Sequence, residues 1–392
     1  MPLTTGHPGN PIATKWGLMI VIAMFGGGPS FTFAEDLESS LAIDTAPSGD
    51  DGLWNHSVLF QDHQASVIQR FAITGRYHYD LISLDSDVGD LRDEQVRRFR
   101  LGFVTNLLDH FTFKSEADFD LNEADPFYQS LTDTYLQWKP TKRFKIRAGK
   151  QAAGFTLDGT TSANELITME RNNLSNNLWF HQVFIPGVLV EVTQGAWRYR
   201  AGIFSGGEAT PEFGTFEGSS FGLFNIGYDF SEKWGVREAM LNLDYVYQDP
   251  DAQNSFTNPH EHVGSLNFRY DTGRWGFRSD LSASNGSTGQ SDLRGIVIMP
   301  FYSFNDHLQW VWRYTEITGH DENGIRLNRY ERALEPGLGD HYQEFYTGLN
   351  WYLHGHKLKW QSGLQFVELS DRAKDGGAYC GWGLTSGFRI SW

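Results

Sequence analysis

Cysteine occurs once in the 392 residues, at Cys380, so no disulfide framework can staple this chain internally. Mean hydropathy is −0.42, far too low for a bundle of membrane-spanning helices. After residue 34 no stretch sustains helical periodicity. Basic residues are the minority, 32 against 48 acids, and the net charge of −16 argues against nucleic acid as a partner. There is no Gly-x-Ser-x-Gly elbow and no local Ser/His/Asp grouping, so nucleophilic catalysis has no visible apparatus. His354 and His356 flank one glycine but have no further ligand nearby, and Asp85–Asp90 lacks the full spacing of a calcium loop. Neither a metal nor a cofactor is expected.

What is abundant is aromatic: 15% of residues, with 42 glycines. Aromatic richness beside low hydropathy is resolved by strands that are apolar on one face only. Leu358, Trp360, Leu364 and Phe366 alternate with Lys359, Gln361, Gly363 and Gln365. Trp275, Phe277, Leu281 and Ala283 alternate with Gly276, Arg278, Asp280 and Ser282. The chain ends the same way, with Cys380, Trp382, Leu384, Phe388, Ile390 and Trp392 on one side. A terminal aromatic of this kind suits an interfacial girdle.

The period-2 pattern predicts strands at 67–80, 96–106, 111–121, 131–138, 143–150, 186–194, 197–204, 220–230, 238–248, 260–270, 274–284, 292–302, 308–317, 341–352, 357–368 and 379–392. That is about sixteen, each near the length a tilted membrane strand needs. Their connections alternate. Leu107–His110, Lys139–Lys142 and Gly195–Ala196 are short, whereas Leu81–Gln95, Gln151–Ile185, Ser205–Ser219 and Thr318–Asp340 are long. A sandwich has no reason to sort its loops by length, whereas an outer-membrane barrel has short periplasmic turns and long external loops. The expected fold is therefore an all-β transmembrane antiparallel barrel over residues 65–392.

Ahead of it, Lys15 precedes the apolar run Leu18–Phe25, and Thr32-Phe33-Ala34 offers a cleavage site. Residues 1–34 are read as a signal peptide and 35–64 as an acidic, solvated arm, placing the mature protein in a Gram-negative outer membrane.

An ordered series of short motifs adds a resemblance. Phe71-Ala72-Ile73-Thr74-Gly75-Arg76, Arg97-Arg98-Phe99-Arg100-Leu101-Gly102 and Phe111-Thr112-Phe113-Lys114-Ser115-Glu116-Ala117-Asp118-Phe119 are followed by Asp133-Thr134-Tyr135-Leu136 and Ile146-Arg147-Ala148-Gly149-Lys150. With Met169-Glu170-Arg171 and Pro186-Gly187-Val188, this series resembles the phosphate-selective porin O/P family. The resemblance implies a sixteen-stranded homotrimeric barrel whose third external loop, here 151–185, folds inward. It departs after Gly149, where Gln151-Ala152-Ala153-Gly154 replaces the family's usual Lys and Pro.

The alternation register turns Arg98, Arg100, Lys114 and Arg147 toward the lumen, facing acids that include Glu116, Asp118 and Asp133. Rings of Arg or Lys favour anions, although such charges can also simply satisfy one another in a wet lumen. Lys150 ends the same motif series, and Glu170 and Arg171 fall in the constriction loop, as selectivity contacts or as a salt bridge holding the loop to the wall. The expected function is passive diffusion of small anionic or neutral solutes, with mild anion or phosphate preference, in contact with outer-membrane lipid. A plugged barrel with a structural or hydrolytic role is the alternative.

Overall fold

A strand buried in lipid must have every backbone polar group paired, and a sheet achieves that only by closing on itself. In the computed structural model, which describes residues 54, 56–123 and 125–392, the last strand closes on the first long one. Gly381 to Ser391 of β19 (Tyr379–Ser391) pairs antiparallel with Ser86 to Arg76 of β2 (Ile68–Ser86).

Between them run β3 (Gly89–Leu107), β4 (Phe111–Phe119), β5 (Tyr128–Thr141), β6 (Phe144–Ala152), β7 (Phe184–Gln194), β8 (Trp197–Ser205), β9 (Ser220–Asp229) and β10 (Glu238–Gln248). There follow β11 (His260–Asp271), β12 (Trp275–Gly286), β13 (Leu293–Ser303), β14 (Leu308–Gly319), β17 (His341–His354) and β18 (Leu358–Ser370). These sixteen strands pair with their sequence neighbours throughout. The all-β barrel expected from the sequence is the fold observed. Two short strands, β15 (Ile325–Arg326) and β16 (Leu338–Gly339), pair with each other outside the barrel sheet.

The alternation sorts side chains opposite to a soluble core. On β18 the outward Trp360 and Leu364 are 41% and 42% exposed, whereas Lys359 and Gln361 on the other face are 0% and 1% exposed. An exposed apolar band with buried polar groups is the arrangement expected where lipid is the outer solvent.

Two expectations need correction. Leu81–Gln95 is not a loop. It is the outer part of the β2–β3 hairpin, paired as far as Ser86↔Gly89. Its acids are exposed, while Ile82 and Leu84 form a buried cluster with Tyr330, and Leu91 and Leu334 pack against it, so a distant segment holds the hairpin extended.

The segment expected as a free arm also ends differently. Val58–Gln61, within 35–64, forms β1 and pairs with Ala72 to Arg70 of β2. The β19–β2 register stops at Arg76, so β1 takes up the edge of β2 left beyond it. Residues 1–34 and the arm up to residue 53 lie outside the described residues.

The outward register makes a direct test. Leu364→Arg, midway along β18, is expected to cost about 2–4 kcal/mol of barrel stability. Denaturant-induced unfolding in lipid vesicles reads that cost, and an unchanged midpoint would mean Leu364 does not face lipid.

Candidate pore constriction

The 153–183 segment joins β6 to β7, and its main chain is hydrogen-bonded to side chains on the polar face of the barrel. Asp244 of β10 accepts from the Thr156 N–H at 3.0 Å, and Asp280 of β12 accepts from the Leu157 N–H at 2.7 Å. Arg269 of β11 donates to the Leu157 carbonyl at 2.8 Å. Further along, Arg313 of β14 donates to the Glu170 carbonyl at 2.8 Å and Asn350 of β17 to the Ile167 carbonyl at 2.8 Å. Lys359 and Gln361 of β18 both donate to the Leu166 carbonyl, at 2.6 and 3.1 Å.

A loop removed from water leaves its backbone needing partners, and here the barrel wall supplies them. Its apolar side chains are matched too. Phe155, Leu157, Leu174, Leu178 and Phe180 pack in one cluster with Val246, Val263, Val297, Val311 and Ile317 of the wall.

Within this segment α1 (Asn173–Leu178) is capped by Asn172, whose side chain accepts from the Ser175 N–H at 2.7 Å. Asp158 in turn accepts from both the backbone and the side chain of Asn172, at 2.8 and 2.7 Å. The helix lies close to β13: a Cβ at Gly295 would stand 2.6 Å from a Leu174 methyl, so only glycine admits it there.

A second connection, 320–340, joins the first. Asn328 donates to the Arg171 carbonyl at 3.1 Å and accepts from Asn176 at 2.8 Å, while Arg326 donates to the Asn176 carbonyl at 2.6 Å. Its short helix α2 (Glu331–Leu334) follows Tyr330, which donates to Asp80 of β2, and Glu331 accepts from Gln365 of β18. Among the strands these loops cover, charges are enclosed. Arg313 grips Glu344 through two bonds, 2.6 and 3.1 Å, with both side chains at most 1% exposed.

Strands β2 to β8 present a different wall. Lys114 pairs with Asp133 at 2.7 Å, and Arg100 with Asp118 at 3.2 Å. Arg76, Arg100 and Lys114 all lie within 3.9 Å of Glu116. Lower on the wall, Lys145, Arg147 and Arg200 surround Glu191 at 2.8, 3.7 and 3.4 Å. Apart from the enclosed Glu116, these side chains keep between 10% and 29% of their surface open, so water screens them.

The residues singled out from sequence separate into two groups. Arg100, Lys114 and Arg147 stand together on this open wall, and Arg98 adjoins them with Nη1 3.5 Å from His78. The others hold loops. Arg171 donates to the carbonyls of Asp158 and Thr161 at 2.9 and 3.0 Å and lies over the Trp179 ring. Lys150 donates to the Glu212 carbonyl at 2.7 Å, tying down the 206–219 connection.

Glu170 accepts from Arg97 at 2.6 and 3.2 Å. Burial works against its charge, but Arg97 and Arg98 outweigh that and hold its carboxyl well below the usual range. Arg97 was missed because strict alternation turns it outward. A bulge between His78↔Arg98 and Tyr79↔Val96 inserts it as an extra residue and brings its side chain to Glu170. No sequence signal marks that bulge.

Where the two groups meet, a recess of about 440 Å³ opens, lined by Arg97, Asp118, Lys150, Phe184 and Arg329 among others. His354 and His356 are not among the residues lining it. His354 lies against the Trp54 ring and His356 against Tyr352 and Lys359.

Comparison with known proteins agrees with the fold. Residues 71–257 match the family described as phosphate-selective porin O and P, which bears out the resemblance read from the motifs. No curated protein matches the chain. Among solved structures, OmpF of Salmonella typhi in complex with daunomycin superposes with a TM-score of 0.59 at 11% identity, over 86% of this chain and 100% of that one. A loop L8 deletion mutant of OmpT, an outer membrane protein of Vibrio cholerae, gives 0.56 at 13%, over 82% and 99%. The outer membrane channel DcaP of Acinetobacter baumannii gives 0.55 at 13%, over 85% and 99%. At such identities the likeness is one of fold.

The loop contacts carry a pH dependence. Burial first, then the neighbouring carboxylates Glu344 and Glu170, push Glu331 up to about 7, partly offset by its hydrogen bonds. A carboxyl raised in the folded state stabilises most when protonated, and that contribution is lost as pH rises through its folded value. The 320–340 segment is therefore expected to exchange its amide hydrogens more slowly at pH 5 than at pH 8, after correction for intrinsic rates. Glu331→Gln should remove the difference. Equal protection at both pH values in the unaltered protein would contradict it.

Proposed function

We propose that this chain, matched over residues 71–257 by the phosphate-selective porin O and P family, is an outer-membrane porin through which small hydrophilic solutes diffuse passively. The observation that carries the reading is the division of the barrel's polar face. Strands β10 to β19 are covered by loops whose backbone they satisfy, whereas the charged wall of β2 to β8 keeps its side chains partly open.

In this reading the 153–183 loop folds inward and narrows the lumen, and solutes pass along the open wall. Arg100, Lys114 and Arg147 are its selectivity residues, with Arg98 beside them. Glu170, Arg171 and Lys150 keep the constriction in shape. Arg76, Arg100, Lys114, Lys145, Arg147 and Arg200 outnumber Glu116, Asp118, Asp133 and Glu191, and such a surplus favours anions mildly. Signal-peptide removal near Ala34 and assembly as a homotrimer complete the proposal.

A barrel closed by its loops, with a structural or hydrolytic role, is the competing reading. The burial of Asp244, Asp280 and Glu344 beneath the loops favours it. Family and fold point instead to a channel.

Purified protein in planar bilayers decides between them. Stable open conductance rising in threefold steps is expected, with a reversal potential of anion-preferring sign in a salt gradient. Arg100→Ala combined with Lys114→Ala should lower the anion-over-cation permeability ratio by about twofold. A folded barrel with no conductance would remove the porin reading, and an unchanged ratio would remove the two bases from the site.

A further inference from the structure

The open side of the barrel is crossed by a contact between strands four apart in the sheet. Arg100 stands on β3 and Phe184 begins β7, yet the guanidinium carbon lies 4.9 Å from the centre of the Phe184 ring. Nearer the short-turn end by register, Arg147 stacks in the same manner on Tyr135, at 4.7 Å. Each cation of this pair therefore lies against an aromatic face, which attracts it.

Their terminal nitrogens face wall groups, while each Nε has no hydrogen-bond partner. Arg100 offers Nη2 to Asp118 at 3.2 Å and has Nη1 3.9 Å from Glu116. Arg147 offers Nη2 to Gln137 at 3.4 Å, with Glu191 at 3.7 Å.

This arrangement discriminates among anions. A phosphate dianion is held best by guanidinium forks free to clamp it in pairs. Here it would have to displace wall carboxylates, approach Asp118 and Glu116 closely, and shed a strongly bound hydration shell. A monovalent carboxylate carrying a flat apolar body meets none of these costs in full. Its single charge suits a modest surplus of bases, and its body finds the ring of Phe184, which lines the recess and lies against Arg100.

We propose that the solutes this channel prefers are small monovalent carboxylates with a planar apolar body, sorted by Phe184 and Arg100. The proposal rests on the porin reading and deepens it.

The test uses the full-length protein in planar bilayers at pH 8, with protein-free membranes as the baseline. KCl conductance is recorded first, then bi-ionic reversal potentials for potassium benzoate and potassium phosphate, each against KCl. Benzoate is expected to permeate at least about threefold better than phosphate, the size one aromatic pair confers. Phe184→Tyr should keep that preference and Phe184→Leu should abolish it. Phosphate permeating as well as benzoate, or Phe184→Leu retaining the preference, overturns the proposal while leaving a conducting porin. Absence of KCl conductance from a folded barrel overturns the porin reading and the proposal with it.

Discussion

The structure depends on one exchange of hydrogen bonds: the main chain of the 153–183 loop for the side chains of the β10–β19 wall. Asp244 and Asp280 take its N–H groups, and Arg313, Asn350, Lys359 and Gln361 give to its carbonyls. Neither side could be buried alone. A carboxylate without donors and a loop without partners each carry a large desolvation cost. Together they are satisfied, and the valines of that wall, misplaced on a wet surface, become a core for the loop's Phe and Leu side chains.

That exchange also explains why the two halves of the barrel carry different electrostatics. Under the loops, ion pairs such as Arg313–Glu344 are sealed and rigid. On the β2–β8 wall the same residue types remain partly hydrated, in pairs that range from 2.7 to 3.9 Å. Sealed pairs serve architecture, because breaking one strands a buried charge. Hydrated pairs can be exchanged for a passing ion at little cost, which a diffusion channel requires. The link from packing to function lies in which wall the loops chose to cover.

The barrel was legible because period-2 alternation is a backbone property that lipid enforces on every strand. Leu358–Ser370 and Tyr379–Ser391 sit within a residue or two of their sequence-derived bounds for that reason. Contacts made across the chain were not legible. The acids between Leu81 and Gln95 read as loop, since nothing local reveals that Tyr330 and Leu334 lie on Ile82 and Leu84. Arg97 escaped because one bulge shifts the register of its strand. Arg171 has the residue type of a selectivity contact, but its donors are spent on carbonyls of its own loop.

The central claim is that the aqueous path follows β2–β8 and that the loops seal β10–β19. Single cysteines placed by Lys114→Cys, Asp133→Cys, Thr315→Cys and Asn350→Cys in a Cys380→Ser background test it directly. A charged thiol reagent added to the water phase should block current rapidly at the first two positions and leave the last two unmodified. Equal reaction at all four, or reaction confined to positions 315 and 350, would contradict it.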